Sequence, residues 1–545
     1  MSTWDVGTKG ATAHARRALP LVAATAVLTA GCGGGSGPGT AAGEGKLADG
    51  KTFTMAYASD PGNLDPAKTV MSIAIGINRY LYDPLIHLDG KGEPEAGLAQ
   101  KWKATTKTAT FTLRPGIKCS DGSALTASDV AANIDYIGDP GNKSPLAGVL
   151  IQPGTTAKAD DARRTVTLTS GAPDAFLLRN AGSVPIACGK GLGDRSALAK
   201  GGKGSGTGMF TMTEAVTGDH YTLTRRKDHT WGPGGSKGDT KGLPDKVTIR
   251  VIPNETTAAN LLLSGELNAS AISGAEQKRL AAQKLFHADV QAPLGGLYFN
   301  QGGSRPGEDE EVRRALVQAL NLPDVGKVIT NGTGKPSQGL VTDEPRACTG
   351  DSVTGNLPGH DLAAAKSALS KAGWKPGAGG IRTKNGKKLT LSLMYGTQNG
   401  PSMAAGAELI QKEWKSLGAE AELKPVDSPA LNSTLFGSGN WDVSMGPIAL
   451  AAPTQLVPFM SGPTPPKGLN FSGVDNPDYT ALVQKASAKV GAAGCPQWQD
   501  AEKALIKNLD AVPYYNSLTP VFGKGARFKV SQGAIVPSSI RMYAN

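Results

Sequence analysis

Histidine, serine and acidic side chains would carry any hydrolytic or metal chemistry, and their spacing here matches none of the common catalytic motifs. The six histidines are His14, His87, His220, His229, His287 and His360. No two of them have the spacing of metalloprotease ligands, and the sequence has no H-E-x-x-H, no G-x-S-x-G and no Walker P-loop. Because an active site needs convergent titratable groups, the sequence favours a binding protein without catalytic residues, metal or cofactor.

Two other stretches invite a chemical interpretation. Residues 202–208 are rich in glycine, as phosphate-binding loops are, but the closing G-K-[ST] of a P-loop is missing, so we expect a turn. Asp442 follows Trp441 at the predicted start of a strand, where a structural role is commoner than an acid–base role. Neither stretch predicts catalysis.

Cys32 predicts covalent chemistry of another kind. Residues 18–31 form a short apolar run that follows Arg16 and Arg17, and three glycines follow Cys32. A positive patch, an apolar run of roughly 7–15 residues and small residues at its end are typical of a secretory signal. The run is shorter than the about 20 apolar residues that cross a bilayer. Residues 28–32 resemble a bacterial lipobox, so we expect a signal peptide over residues 1–31.

The lipobox implies that Cys32 becomes the lipid-modified N-terminus. Two acyl chains hold a protein to a membrane more firmly than one, so the mature protein is expected at the outer face of the cell membrane. The alternative is an ordinary secretory signal beside an unrelated cysteine. Residues 32–50 are rich in glycine, with further small residues and few apolar ones, and predict a flexible linker.

The length suits several domains, and the charge distribution does not favour a nucleic-acid-binding protein. The chain has 545 residues, 39% of them hydrophobic, and a length of this order suits two to four domains. The formal net charge is +11, but lysine and arginine are dispersed among acidic residues. We therefore expect compatibility with an anionic wall or membrane surface rather than binding of nucleic acid.

Strand and helix patterns alternate along the chain. Residues 51–58 and 108–113 predict strands, as do the alternating apolar residues near 166, 247–251 and 389–393. The stretch 312–320 and residues 403–417 carry apolar residues at helical spacing, with Gly418 at the end of the second helix. Residues 500–509 predict a last helix. Thr126 or Ser128 and then Asn254 predict helix N-caps, and the alternation predicts an α/β fold.

The motifs in this order resemble a known family. The sequence FTLRPGIKCSDGSALTASDV at 111–130 is very similar to the hallmark of the family 5 extracellular solute-binding proteins, which serve peptide, dipeptide and nickel ABC importers. Further matching segments occur in order at 58–69, 80–102, 206–212, 254–270, 309–321 and 363–374. The resemblance implies a two-lobed, periplasmic-binding-protein-like fold of type II, in the large oligopeptide-binding class.

The resemblance also implies domain boundaries. The first lobe is expected from residues 51–88, 196–293 and 511–545, the extra subdomain from 89–195, and the second lobe from 294–510. A strand near 295–300 is expected to cross between the lobes, with glycines that ease closure.

The remaining four cysteines are expected to form disulfides in an oxidising compartment. Their spacing does not fit a zinc knuckle, and four cysteines allow three pairings. The pairs Cys119–Cys188 and Cys348–Cys495 are favoured, because each would lie inside one of these domains.

Peptide receptors of this family commonly place an aspartate, which pairs with the peptide α-ammonium, in the segment after the Trp-Asp strand. The matching position is Ala449, and no carboxylate lies between Asp442 and Asp475. The amine is therefore anchored elsewhere, or the solute is blocked, cyclic or neutral. By position, the expected ligand-binding residues are Tyr57, Ser59, Asn63, Leu297, Tyr298, Tyr395, Thr397, Gly446, Ile448, Ala449 and Gln455.

The sequence thus predicts a lipid-anchored, monomeric receptor that closes on a peptide or small-molecule solute and delivers it to an ABC permease. The alternative is a sensory or interaction protein of the same fold that binds a neutral small molecule. An extracytoplasmic hydrolase has no support in the motifs.

Overall fold

The computed structural model describes residues 45–397 and 400–544. The predicted signal peptide, Cys32 and the linker up to residue 44 lie outside the described residues. Leu47 forms a β-bridge with Tyr543, and the Ala48 N–H donates to the Met542 carbonyl over 2.9 Å. The packed chain therefore includes residues before 51, where the sequence placed the end of the flexible linker.

The strands have the following bounds in chain order: β1 (Thr52–Tyr57), β2 (Ile86–Leu88), β3 (Pro94–Ala96), β4 (Ala99–Ala104), β5 (Thr108–Leu113), β6 (Thr156–Asp160), β7 (Thr165–Thr169), β8 (Phe210–Val216), β9 (His220–Arg225), β10 (Lys246–Val251), β11 (Ala269–Ala271), β12 (Phe286–Phe299), β13 (Lys335–Pro336), β14 (Thr383–Lys384), β15 (Lys387–Lys388), β16 (Thr390–Gly396), β17 (Glu420–Val426), β18 (Val443–Met445), β19 (Ala511–Gly523), β20 (Ala526–Arg527), β21 (Val530–Ser531), β22 (Ala534–Ile535) and β23 (Arg541–Met542).

The α-helices are α1 (Ser72–Leu81), α2 (Ala127–Gly138), α3 (Leu177–Gly182), α4 (Gly189–Leu192), α5 (Arg195–Ala199), α6 (Glu255–Ser264), α7 (Glu276–Ala282), α8 (Glu310–Gln318), α9 (Leu322–Ile329), α10 (Leu362–Lys371), α11 (Pro401–Leu417), α12 (Ser428–Ser433), α13 (Pro453–Met460), α14 (Pro477–Ser487) and α15 (Cys495–Lys507). No helix in the described ranges is long and apolar enough to span a membrane.

One large sheet runs through both lobes of the molecule. Its strand order is β17-β16-β18-β12-β19-β11-β1-β10-β9-β8, and β13 pairs with β19 off this path. The strands β1 and β8–β11 form the sheet of the first lobe, and β16–β18 form the sheet of the second. The long antiparallel strands β12 and β19 belong to both halves. The fold is therefore the two-lobed α/β fold that the sequence predicts.

A separate sheet of order β4-β5-β7-β6 packs against α2 and forms the extra subdomain. Its alternating pattern is visible in β5, where Ala109, Phe111 and Leu113 are buried and the residues between them are not. Helix α2 begins at a capping box in which Thr126 and Asp129 satisfy each other's backbone N–H groups. Thr126, rather than Ser128, is the N-cap.

The sequence predicted the helices of the second lobe well in type and less well in their ends. Helix α11 buries the predicted apolar stripe and ends at Gly418, whose φ of 95° is left-handed. Helix α15 begins at Cys495, five residues before the predicted start at 500, because Pro496 suits a first helical turn. Pro323 lies in the first turn of α9, where proline is well tolerated.

Both favoured disulfides are present. Cys119 is bonded to Cys188, and Cys348 is bonded to Cys495. The first lies in the extra subdomain, and the second ties the segment after β13 to the start of α15. The structure confirms the pairing that the sequence favoured.

Candidate solute-binding site

The strands β12 and β19 form the link between the lobes, and their crossing has an irregular register. The pairing shifts on both sides of Gly295. A Cβ atom on Gly295 would lie 1.9 Å from Cε2 of Tyr514, so only glycine fits there. The sequence predicted glycines at this position to ease lobe movement, and the structure adds a static reason, the close approach of an aromatic ring.

The extra subdomain is held to the first lobe by polar contacts as well as by the chain itself. The buried Arg226, which follows β9, donates to the carbonyl oxygens of Gly206 and Gly208 at 3.4 and 3.2 Å and to that of Lys118 at 2.9 Å. Arg195 of α5 pairs with the buried Asp65 at 3.1 Å. These contacts join the first lobe and the extra subdomain firmly, so we treat them as one body.

Three of the predicted ligand-binding residues, Tyr57, Ser59 and Asn63, lie at the end of β1 or just after it. The half-buried Tyr57 packs against α1, where its hydroxyl lies beside Gly76. Burial raises the pKa of Tyr57 to about 12, and the nearby Arg79 partly offsets this rise. Ser59 is exposed, and Asn63 turns its side-chain oxygen back to the Asp65 N–H at 2.8 Å.

Three predicted residues lie in the core of the second lobe. Leu297 is fully buried on one face of the sheet, and Tyr298 is buried on the other, with its ring 5.6 Å from that of Phe471. Tyr395 at the end of β16 is also buried. In this conformation these three side chains supply packing. Thr397 is exposed and donates to the Val426 carbonyl at 3.3 Å.

The segment after β18 lies beside the crossing strands. The Gly446 N–H donates to the Gly296 carbonyl at 3.1 Å, Ile448 packs against the core of the second lobe, and Ala449 is exposed. The next carbonyl, of Leu450, accepts the N–H groups of Thr342 and Asp343 at 3.1 and 2.9 Å. The loop around residue 342 therefore lies alongside the predicted binding segment.

The last predicted residue, Gln455, reaches across to the extra subdomain. Its side-chain oxygen accepts the N–H groups of Ala451 and Ala452, and its Nε2 donates to Oδ1 of Asn180 on α3 at 3.3 Å. Asn180 in turn donates to Thr454 Oγ1 at 3.1 Å. Gln455 and Asn180 are both buried.

Apolar packing accompanies these hydrogen bonds. Phe176 is 5% exposed and lies 6.4 Å from the ring of Trp498 on α15. The Gly491 N–H donates to the Ala175 carbonyl at 2.7 Å. We call this contact between residues 174–180 and the second lobe the clasp. It is a second connection between the two bodies, separate from the crossing strands.

A cavity of about 480 Å³ lies beside the crossing strands. Its lining residues come from β12, β13, β19 and the loop that follows β13, and they are Gln291, Lys335, Pro336, Ser337, Gln338, Thr342, Arg346, Asp351, Thr354 and Asn516. None of the predicted ligand-binding residues is among them. Residues 335–354 supply most of the lining side chains, and no motif in the sequence marks this stretch as a site.

Charged side chains of residues 343–346 lie in or next to the wall of this cavity. Arg346 pairs with Glu344, with Nε 2.8 Å from Oε1. Burial raises the pKa of Asp343 to about 6, and the neighbouring carboxylate of Glu344 adds to the rise. Asp343 adjoins the lining residue Thr342 but does not itself line the cavity.

Two of the histidines, His87 and His229, lie beside the buried carboxylate of Asp83. His229 Nε2 is 2.6 Å from Oδ2 of the buried Asp83, which also accepts the Trp231 N–H at 3.0 Å. Burial lowers the pKa of His87, although Asp83 acts in the opposite direction. Within the described residues no three histidine, cysteine or acidic side chains stand close enough to hold a metal ion.

Asp442 and the glycine-rich stretch are structural, as predicted. Asp442 accepts hydrogen bonds from the backbone N–H and from the hydroxyl of Ser392, both at 2.8 Å. It also forms an ion pair with Arg305 at 2.9 Å. Gly206 and Gly208 have no room for a Cβ atom because the backbone of Leu81 lies 2.4 to 2.6 Å from that position. The stretch 202–208 is a tight turn against the end of α1.

Residues 93–463 match the middle region of the bacterial extracellular solute-binding proteins, family 5. The chain belongs to this family. Members of the family are substrate receptors without enzymatic activity, so the chain is a solute-binding protein and not an enzyme.

Sequence relatives cover most of the family 5 chain. It is 26% identical over 503 residues to the dipeptide-binding protein DppE of Bacillus subtilis, covering 85% of this chain and 86% of the relative. It is also 26% identical to the periplasmic murein peptide-binding protein MppA of Escherichia coli, covering 86% and 88%.

Solved structures support the same fold for this family 5 protein. A substrate-binding protein of Microbacterium hydrocarbonoxydans, in complex with 4-hydroxybenzoate hydrazide, gives a TM-score of 0.74 at 24% identity, covering 90% of this chain and 100% of that one. The oligopeptide-binding protein AppA of Bacillus subtilis, in complex with a nonapeptide, gives 0.70 at 18% identity, covering 92% and 100%. At these identities the likeness concerns the fold alone.

Proposed function

We propose that the protein is the receptor of an ABC importer for a peptide or peptide-like solute, and that it works by closure of its two bodies around that solute. The observation that carries the proposal is that two distinct connections join the bodies. The bodies are joined by the crossing strands and meet again at the clasp, through Asn180, Gln455 and the ring of Phe176. A permease that binds only the closed form would distinguish loaded from empty receptor.

Peptide specificity is supported by the relatives, whose names include dipeptide-, oligopeptide- and murein peptide-binding proteins. The missing carboxylate at Ala449 modifies this proposal. A free α-ammonium buried in the site would need a partner elsewhere in the chain, because an unpaired buried charge is costly. An amine-blocked or cyclic peptide would need none.

The direct experiment is native mass spectrometry of the full-length protein purified in mild detergent from its host, with identification of any bound solute. A deletion strain is then tested for uptake of that solute. We expect a peptide-like solute and loss of its uptake. A bound solute whose uptake is unchanged in the deletion strain would instead support the sensory or interaction alternative, which the exposed, uncharged Ala449 favours for neutral small molecules.

We further propose that Cys32 carries the lipid that holds the protein, as a monomer, at the outer face of the cell membrane. The composition of residues 16–35 supports this, with its two arginines, apolar run and cysteine before glycines. Mass spectrometry of the membrane fraction should find a diacylglyceryl group on Cys32, and Cys32→Ala should release the protein from that fraction. A mature chain that still contains Thr29 would contradict the proposal.

A further inference from the structure

The cavity beside the crossing strands is lined almost entirely by groups that form hydrogen bonds. Gln291, Ser337, Gln338, Thr354 and Asn516 supply amides and hydroxyls, and Pro336 is the apolar exception. Ser337 Oγ and Asn516 Oδ1 are 2.9 Å apart, which fixes both side chains at the wall. A cavity of about 480 Å³ is within the usual range of roughly 300–1,000 Å³ for small-molecule sites. Its chemistry suits a hydrophilic solute.

Thr342 presents an unsatisfied group to this cavity. Thr342 is 4% exposed, and its Oγ1 has no hydrogen-bond partner among the described residues. The backbone N–H of Thr342 is already committed to the Leu450 carbonyl. A buried hydroxyl without a partner is destabilising, so a solute atom that hydrogen bonds to it would remove that cost.

The charges of the lining leave a cation available. The carboxylate of Asp351 accepts the N–H of Val353 at 2.9 Å and both the N–H and the hydroxyl of Thr354, at 2.8 and 2.6 Å. Lys335 lines the same cavity, and its ammonium makes no ion pair or hydrogen bond within residues 45–397 and 400–544. The acidic residue of the lining is thus satisfied internally and the lysine is not.

We infer that this cavity receives a carboxylate of the transported solute, with Lys335 as its counter-charge and with Thr342, Ser337 and Asn516 hydrogen bonding the part of the solute next to it. The inference rests on the proposed receptor function and specifies the class of solute. A peptide C-terminus and a sugar acid share this chemistry. A solute bound there would contact the strands β12 and β19 on one side and the loop that touches Leu450 on the other. Binding of the solute would therefore be coupled to the relative position of the lobes.

The test uses matched pairs of probes on the full-length protein. Peptides of two to five residues with a free C-terminus are compared with the same peptides as C-terminal amides, and sugar acids with the corresponding neutral sugars. Thermal stabilisation finds the binding pairs, and calorimetry gives their affinities. We expect each binding acid to exceed its neutral counterpart by about 10-fold to 100-fold, the usual effect of a hydrogen-bonded charge. The peptide pairs and the sugar pairs distinguish the two sources of carboxylate.

Three variants assign the effect to the cavity. Lys335→Met should reduce the affinity for the acid to that for the amide, and Lys335→Arg should keep most of the preference. Lys387→Met, on the exposed hairpin of β14 and β15, is the matched control and should change nothing. Thr342→Val should weaken acid and amide alike, because it removes a neutral hydrogen bond.

Several outcomes would overturn the inference. Equal binding of acids and amides, an acid preference that survives Lys335→Met, or a panel in which no acid stabilises the protein would each do so. Equal binding of acid and amide would leave the receptor function standing. Failure of the receptor function shows itself elsewhere, as unchanged uptake in the deletion strain.

Discussion

Truncation of Phe176 to alanine is expected to open the clasp without unfolding either body. The ring of Phe176 belongs to a cluster with Ala452, Ala486 and Trp498 of the second lobe, and not to the core of its own subdomain. Its apolar contacts therefore run almost entirely across the contact between the two bodies. Separation of the bodies would expose this ring, whereas the cores of both would stay as they are.

The size of the effect follows from the burial of that ring. Phe176 is 5% exposed, and burying a phenylalanine side chain stabilises by about 1.5–3 kcal/mol. Because 1.4 kcal/mol is a factor of ten in an equilibrium constant, the ratio of closed to open clasp should fall about 10-fold to 100-fold in Phe176→Ala.

Hydrogen exchange at a single amide measures this ratio. The Gly491 N–H donates to the Ala175 carbonyl across the clasp, so it exchanges when the clasp opens. Its exchange rate should rise about 10-fold to 100-fold in Phe176→Ala, while the amides of β7 keep their rates. The matched control is Phe528→Ala, which removes a ring that is equally buried in the core of the first lobe, against Phe53.

The control separates local from global effects. Phe528→Ala should lower the melting temperature of the protein. In this variant the exchange rate of the Gly491 amide should rise by no larger a factor than the rates of the β7 amides. If Gly491 responds to both variants by the same factor, or to neither, then Phe176 does not hold the clasp closed and the reasoning is refuted.

Three further predictions concern stability. Gly295→Ala should lower the free energy of unfolding by about 1–3 kcal/mol in urea titrations, because its Cβ would lie 1.9 Å from the Tyr514 ring; the cost should shrink in a Tyr514→Leu background, and strict additivity would argue against the clash. Burial lowers the pKa of His87, so on acidification the unfolded chain takes up the proton first. The free energy of unfolding should therefore fall as the pH drops below about 6.5. His87→Gln should flatten this pH dependence, and an unchanged slope would exclude His87 as its source. Replacing Cys348 and Cys495 by alanine should cost about 2–5 kcal/mol, since the disulfide closes a loop with a sequence separation of 147; an unaltered urea midpoint would contradict this.

Local patterns in the sequence predicted much of the fold. The period-2 pattern of residues 108–113, the helical stripe that ends at Gly418 and the capping box at Thr126 each encode a strand or helix through short-range contacts that the sequence displays directly. Helix starts were less predictable. The start of α15 was predicted at residue 500, five residues late, although Pro496 is a residue that suits the first turn of a helix.

The candidate site was harder to predict than the fold. The family resemblance directed attention to Leu297, Tyr298 and Tyr395, which this conformation buries in the core. The polar cavity joins Gln291 to Asn516, and these two residues come together only because β12 pairs with β19. Sequence spacing contains no information about such pairings. The clasp escaped prediction for the same reason, although Gln455 was singled out by position.

The placement of β19 has a consequence for biogenesis. This strand pairs with β11 in the first lobe, with β12 along the crossing and with β13 in the second lobe. Residues 511–523 are therefore required by both halves of the large sheet, and they follow every other strand of that sheet along the chain. Until they arrive, β11 and β12 expose unpaired edges that are prone to aggregation. Truncation before residue 511 would thus leave neither lobe able to complete its sheet.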